Sequence, residues 1–216
     1  MYIAIEGVIG VGKTSLVRLL QPTFQAEILL EVFEENPFLS HFYADRARFA
    51  FQTQIFFLLS RYHQQRRAVP EALVRAPLIA DYTFAKDALF AGINLAGDEL
   101  ELYDSLHNAL AEKIPMPDLI VYLRASTDTL MQRIARRDRT YERQMERAYI
   151  HQLNTAYDDF FARREPPRVL TIETGDLDFV GRAEDLRLIE TRIRLALEQG
   201  AYQAPLPLVD SLHVDD

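Results

Sequence analysis

Near the start of the 216-residue chain, Gly7 is followed at fixed spacing by Gly12, Lys13 and Thr14 within IAIEGVIGVGKTSLVRLL. The pattern G-x-x-x-x-G-K-[ST] makes a cradle for phosphates. Its glycines, Gly10 among them, let the backbone curl so that successive N–H groups face inward. Lys13 adds a mobile positive charge, and the Thr14 hydroxyl suits Mg²⁺. Ser15 leads into a predicted helix whose N-terminus faces the same anion. A second group is RIARRDRTYERQMER, which begins at Arg133 and ends at Arg147. Arg133 and Arg137 lie one helical turn apart and share a face, and Arg139 falls just past the predicted helix end. Read alone, such a run is also compatible with a solvated helix face. Beside a phosphate cradle it suits a lid at about 136–142 that offsets charge on a transferred phosphoryl group.

A hydroxyl acceptor for that group needs a partner for its proton. Glu31, at the carboxyl end of a predicted strand, fits; Glu34 and Glu35 read as exposed carboxylates. Gln54 and Arg61 are seven residues apart, two turns along one face of a helix otherwise rich in Phe and Leu. That polar pair on an apolar helix marks a lined pocket.

These groups need elements to hold them. Short apolar runs at 2–5, 27–31, 77–81, 118–123 and 168–172 read as strands, apolar on consecutive residues as in strands buried on both faces. Helical periodicity falls near 13–21, 46–68, 98–113, 126–137, 142–163 and 182–198. The alternation predicts an α/β fold, a parallel sheet covered on both faces. One domain is expected over 1–203, followed by an acidic, Pro-containing tail at 204–216 that is irregular or docked.

Composition narrows the function classes. With 49% hydrophobic and 26% charged residues the chain reads as an ordinary soluble domain. A net charge of −8 disfavours nucleic-acid polymers as partners. No apolar run approaches the ~20 residues of a membrane span, no leader is expected, and the chain has no cysteine. A cytoplasmic protein is expected. The five histidines form no spaced pair, so no metal beyond Mg²⁺ is expected. The N-K-x-D motif of guanine-reading switches is missing, and a small-molecule kinase fits better.

Taken in order, the phosphate loop, EVFEENPFL, FY, FQTQIFFLLSRY, ADYTFAKDALFA, the arginine lid with YERQMERAYIHQLNTAYDDFF, and GDLDFV resemble the deoxynucleoside kinases of the deoxycytidine/deoxyguanosine kinase type over roughly residues 1–180. The resemblance implies a three-layer α/β/α P-loop kinase fold with a five-stranded parallel sheet in the order 2-3-1-4-5. It implies ATP as donor, Mg²⁺ and a homodimer, with a heterodimer of similar subunits as the variant. It makes Glu31 the base for the 5′-hydroxyl, Tyr43 and Glu142 the partners of the sugar 3′-hydroxyl, and Gln54 the base-reading residue. Arg61 works there with an acidic partner, and Phe90 sits nearby. Lys13, Arg133, Arg137 and Arg139 fall on phosphates, while Asp178 and Phe179 fall beside the ATP adenine.

One segment departs from that pattern. Where an acidic-Arg-Ser triplet is usual, this chain has Asp81-Tyr82-Thr83. Asp81 can still act through Mg²⁺, with Thr14. The arginine's place is vacant, and Lys86 is the nearest candidate to fill it. Lys86 and Asp87 compete for the position that faces the base. Asp-Tyr with a downstream Lys resembles the bacterial deoxyguanosine kinase branch and favours deoxyguanosine, then deoxyadenosine. Two rivals stay open at this point. A thymidylate-type monophosphate kinase would need arginine rather than Glu31 at the acceptor, and a nucleotide-binding partner subunit would need no base.

Overall fold

The five apolar runs form one sheet. β1 (Tyr2–Glu6), β2 (Glu27–Leu29), β3 (Leu78–Ala80), β4 (Leu119–Arg124) and β5 (Arg168–Glu173) stand in the order β2-β3-β1-β4-β5. Every pairing is parallel, with Ile3 opposite both Ile79 and Leu119. Parallel neighbours require crossovers, and the helices supply them: α1 (Lys13–Phe24), α2 (Leu39–Ala44), α3 (Arg46–Arg75), α4 (Lys86–Asn94), α5 (Gly97–Ala111), α6 (Thr127–Arg137), α7 (Arg147–Ala162) and α8 (Ala183–Ala201). The computed structural model describes residues 1–32, 35–143, 145–162 and 167–201. Glu34 and the tail at 204–216 lie outside the described residues.

Alternation along β1 divides the core between the two faces of the sheet. Ile3 and Ile5 pack with Leu16, Leu20 and Ile193 in the larger cluster. Tyr2 and Ala4 pack with Val69 and Ala72 of α3 in the smaller one. Apolar residues at consecutive positions therefore each find a buried partner, which is why these strands carry no polar alternation.

Several boundaries differ from the sequence expectation. β2 ends at Leu29, so Glu31 lies beyond the strand, not on it. The backbone turns there because Asp81 takes over the pairing: the Glu31 N–H donates to its Oδ1 at 2.7 Å. α3 continues past the expected end at 68 through Pro70 to Arg75. A mid-helix proline removes one hydrogen bond, and burial of Val69 and Ala72 against the sheet offsets that loss. α7 begins at Arg147, not 142; Glu142 stands in a separate 3-10 turn, Thr140–Glu142. The short α2 and α4 have no counterpart among the predicted helices.

A buried carboxylate ties the strand ends together. Glu6, last in β1 and 0% exposed, accepts the Thr83 N–H at 2.6 Å and the Thr83 hydroxyl at 2.9 Å on Oε1. Its Oε2 accepts from the Tyr157 hydroxyl at 3.3 Å. Glu6→Ala would orphan these donors in the interior. It is expected to lower the unfolding free energy in urea by about 1–3 kcal/mol, with Glu6→Gln recovering part; an unshifted Glu6→Ala transition would refute this role.

Candidate active site

The loop at residues 7–12 leaves β1 and enters α1. Gly12 caps the helix with φ 107°, and a Cβ there would stand 2.8 Å from Phe179 Cζ. A Cβ on Gly10 would stand 2.7 Å from Ile134 Cγ1, so α6 presses on the loop from the other side. Lys13 Nζ donates to the carbonyls of Gly7 at 2.7 Å and Val8 at 3.2 Å. Burial, with the nearby Lys86 ammonium, brings Lys13 down to about 8.

Thr14 Oγ1 donates to Asp81 Oδ2 at 2.6 Å, just past the end of β3. A hydroxyl and a carboxylate are hard oxygen donors of the kind Mg²⁺ takes, with nucleotide phosphates and water completing its shell. The set fits that ion. No group of three His, Cys, Asp or Glu that could hold a metal alone occurs among the described residues.

On the acceptor side, a cavity runs from Gly10, Lys13 and Thr14 to Gln54 and Arg61, with Glu31 on its wall. Glu31 is pinned by two cations: Arg61 Nε donates at 3.0 Å and Lys86 Nζ at 2.7 Å. Burial alone would raise its carboxyl, but Arg61 and Lys86 outweigh burial and hold it well below the usual carboxylate range. Arg61 also pairs with Asp87, which is 0% exposed. Lys86 and Asp87 differ in position. Lys86 lines the cavity and touches Glu31, whereas Asp87 sits behind Arg61 and reaches the cavity only through it. Tyr82 is fully buried, its hydroxyl on the Gln64 side-chain carbonyl, and it lines neither this cavity nor the one across the phosphate loop.

Tyr43, Glu142, Gln54 and Phe90 line the same cavity. Burial, then Tyr149 and Glu142, push the Tyr43 phenol well above its ordinary value, which keeps it a donor. Glu142 accepts from Arg137 Nη2 at 2.6 Å, and Arg139 lies 3.7 Å away.

A second cavity opens on the other side of the loop, lined by Gly12, Ser15, Arg133, Arg136, Asp178 and Phe179. The two cavities share Gly10, Lys13, Thr14, Arg137 and Arg139 and so are lobes of one cleft. Arg133 and Arg137 divide between tasks despite sharing a helix face. Arg133 donates to Val11 O at 3.2 Å and Thr174 O at 2.6 Å, bracing the loop. Asp178 Oδ1 is engaged by Gly181 N at 2.9 Å, which leaves Phe179 as the apolar wall.

Sequence reasoning missed Thr53, Phe57, Tyr141 and Tyr149, all of which line the acceptor lobe. Phe57 faces the Arg61 guanidinium at 4.5 Å, and Tyr141 stacks on Tyr43 at 6.1 Å. For Phe57 the signal was available: it lies four residues before Arg61, hence on the same helix face. Tyr149 and Tyr141 carried none, because their approach depends on how the turn at 140–142 folds back.

Comparisons with known proteins agree with this geometry. A family model described as deoxynucleoside kinase matches residues 3–197. Deoxyguanosine kinase of Bacillus subtilis (strain 168) is 34% identical over 198 residues, covering 89% of this chain and 96% of that protein. The deoxyadenosine/deoxycytidine kinase of the same organism is 27% identical, with 88% and 90% covered. A solved structure of deoxyadenosine kinase from M. mycoides with bound dATP overlays at a TM-score of 0.77 and 25% identity, covering 90% of this chain and all of that one. Such neighbours have the P-loop kinase fold. With a phosphate loop, a carboxylate and an acceptor cavity joined in one cleft, and a family match over nearly the whole described chain, this protein belongs to the deoxynucleoside kinase family.

Proposed function

We propose that the protein transfers the γ-phosphate of ATP, with Mg²⁺, to the 5′-hydroxyl of a purine deoxynucleoside, deoxyguanosine before deoxyadenosine. One observation carries the reading. The two lobes meet at Lys13 and Thr14, and Glu31 stands at that junction on the acceptor side. A phosphoryl donor in one lobe and a hydroxyl in the other then approach beside a carboxylate. The purine preference draws its support from the relatives named as deoxyguanosine kinases and from Asp81-Tyr82 with downstream Lys86.

In this reaction the deoxynucleoside enters with its base toward Gln54 and Arg61 and its 3′-hydroxyl toward Tyr43 and Glu142. Glu31, kept ionised by Arg61 and Lys86, accepts the 5′-hydroxyl proton as the oxygen attacks. Lys13 turns from its loop carbonyls to the incoming phosphates, and Arg137 and Arg139 close from the lid. Thr14 and Asp81 would hold Mg²⁺, which when bound would offset phosphate charge. Lys86 takes the vacant arginine's place, since its ammonium touches Glu31 at 2.7 Å and lies close enough to Lys13 to lower that group.

A thymidylate-type kinase is a weaker reading, because the acceptor end presents an ionised carboxylate where a monophosphate would bring negative charge.

The first test is ATP-dependent phosphorylation of deoxyguanosine, deoxyadenosine, deoxycytidine and thymidine side by side, with their monophosphates as controls. Deoxyguanosine is expected to give the highest kcat/KM, and turnover confined to a monophosphate would sink the reading. Glu31→Gln should reduce kcat about 10²–10⁴-fold with ATP affinity kept; full turnover in this variant would remove Glu31 as the base. Lys86→Met should reduce kcat about 10²–10³-fold, with Lys86→Arg regaining a share. Equal rates for Lys86→Met and the parent protein would show that this ammonium positions nothing.

A further inference from the structure

Buried polar atoms in folded proteins almost always have partners, so an orphan on a cavity wall points to what the cavity binds. Gln54 Oε1 is such an atom: it is buried, it has no hydrogen-bond partner, and its residue lines the acceptor lobe. The family resemblance puts the same residue against the base. Thr53 Oγ1 carries the same signature. Its residue is 1% exposed, its hydroxyl is unpartnered, and it lines the same lobe. Gln65 and Tyr103 also hold orphaned atoms, but neither lines this cavity.

A threonine within a helix normally gives its hydroxyl to the carbonyl three or four residues back. The Thr53 hydroxyl forgoes that bond. Its backbone carbonyl is held from the opposite side, accepting Asn36 Nδ2 at 3.2 Å, while Asn36 Oδ1 accepts the Phe38 N–H at 3.0 Å. The turn at 35–38 thus fixes this point of α3 and leaves the hydroxyl unpaired. A hydroxyl donates or accepts as its partner requires. The neighbouring amide offers both as well, and purine edges present adjacent donors and acceptors.

We propose that Thr53 is a specificity residue of this kinase, its hydroxyl pairing with a polar group on the nucleobase edge beside the group that Gln54 reads. The inference rests on the reading that the acceptor lobe takes a deoxynucleoside. Thr53→Val keeps the shape and removes the hydroxyl, and Thr53→Ser keeps the hydroxyl. The experiment measures both variants and Gln54→Leu with deoxyguanosine, deoxyinosine (which lacks the 2-amino group) and 7-deazadeoxyguanosine (which lacks N7), each at saturating ATP.

Thr53→Val is expected to lower kcat/KM for deoxyguanosine roughly 5- to 150-fold, mainly through KM, with the KM for ATP unchanged and Thr53→Ser close to the parent. An analogue missing the group that Thr53 contacts should lose nothing further in Thr53→Val. Equal losses on all three nucleosides that Thr53→Ser recovers would put the partner at O6 or N1, which all three retain; equal losses that Thr53→Ser does not recover would mean a structural role and overturn the proposal, as would parental kinetics in Thr53→Val. Because the nucleosides are compared within one variant, a fraction of misfolded protein cancels. If Gln54→Leu also left selectivity intact, the fault would lie with the base-pocket reading itself; loss in Gln54→Leu with silence in Thr53→Val would isolate the failure to Thr53.

Discussion

Two carboxylates and two cations form a chain at the acceptor lobe, Lys86–Glu31–Arg61–Asp87, with Asp87 behind the cavity wall. All four are largely buried, and Asp87 is wholly so. Burying a charge is costly unless a partner is met with good geometry, and removing one partner leaves the other uncompensated. The chain of pairs is formally neutral, and because Lys86 and Asp87 are consecutive in α4, the helix closes it into a ring. Three separate pieces of chain must arrive in register for the ring to form: the exit of β2, the middle of α3 and the first turn of α4. The cavity takes its shape from this requirement, with Gln54 two turns before Arg61 on α3 and Phe90 one turn after Lys86 on α4.

Asp81 performs the equivalent task for the phosphate side. One of its oxygens takes the Thr14 hydroxyl and the other the Glu31 backbone N–H, so the loop, the end of β3 and Glu31 are held by one side chain. Glu6 adds a second tie, from the end of β1 to Thr83. These contacts lie beyond the carboxyl ends of parallel strands, where a doubly wound sheet leaves its crevice. With Asp81 and Thr83 anchored on either side, Tyr82 between them faces inward to Gln64. Lys86, the first residue of α4, is the cation that reaches Glu31 beside Arg61.

Much of this was legible in the sequence, for identifiable reasons. The phosphate loop is a local motif, and its chemistry depends on residues within eight positions of one another. The strands show because burial on both faces leaves a continuous apolar run. Gln54 and Arg61 show because helical spacing alone puts them on one face. The rest depends on non-local contact. α4 is nine residues long and nearly apolar, too short for periodicity to separate it from a loop; without its phase, the choice between Lys86 and Asp87 stayed open. The end of α3 was masked by Pro70, whose cost is offset by a sheet contact that no local window contains. Thr53 was invisible because its signal is a hydrogen bond that is not made.

The arrangement also sets a cation-lined cleft into an acidic protein. A net charge of −8 repels phosphates at long range, yet screening confines that effect to about 8–10 Å in physiological salt. Within the cleft, local cations decide. Arg137 and Arg139 border both lobes, and Arg137 is held by Glu142. Arg133, one turn earlier, is spent on the loop backbone and lends rigidity rather than mobile charge. A cluster that looks uniform in sequence therefore separates into a brace and a pair of arginines on the cleft wall, which makes the cleft locally cationic on an otherwise acidic chain.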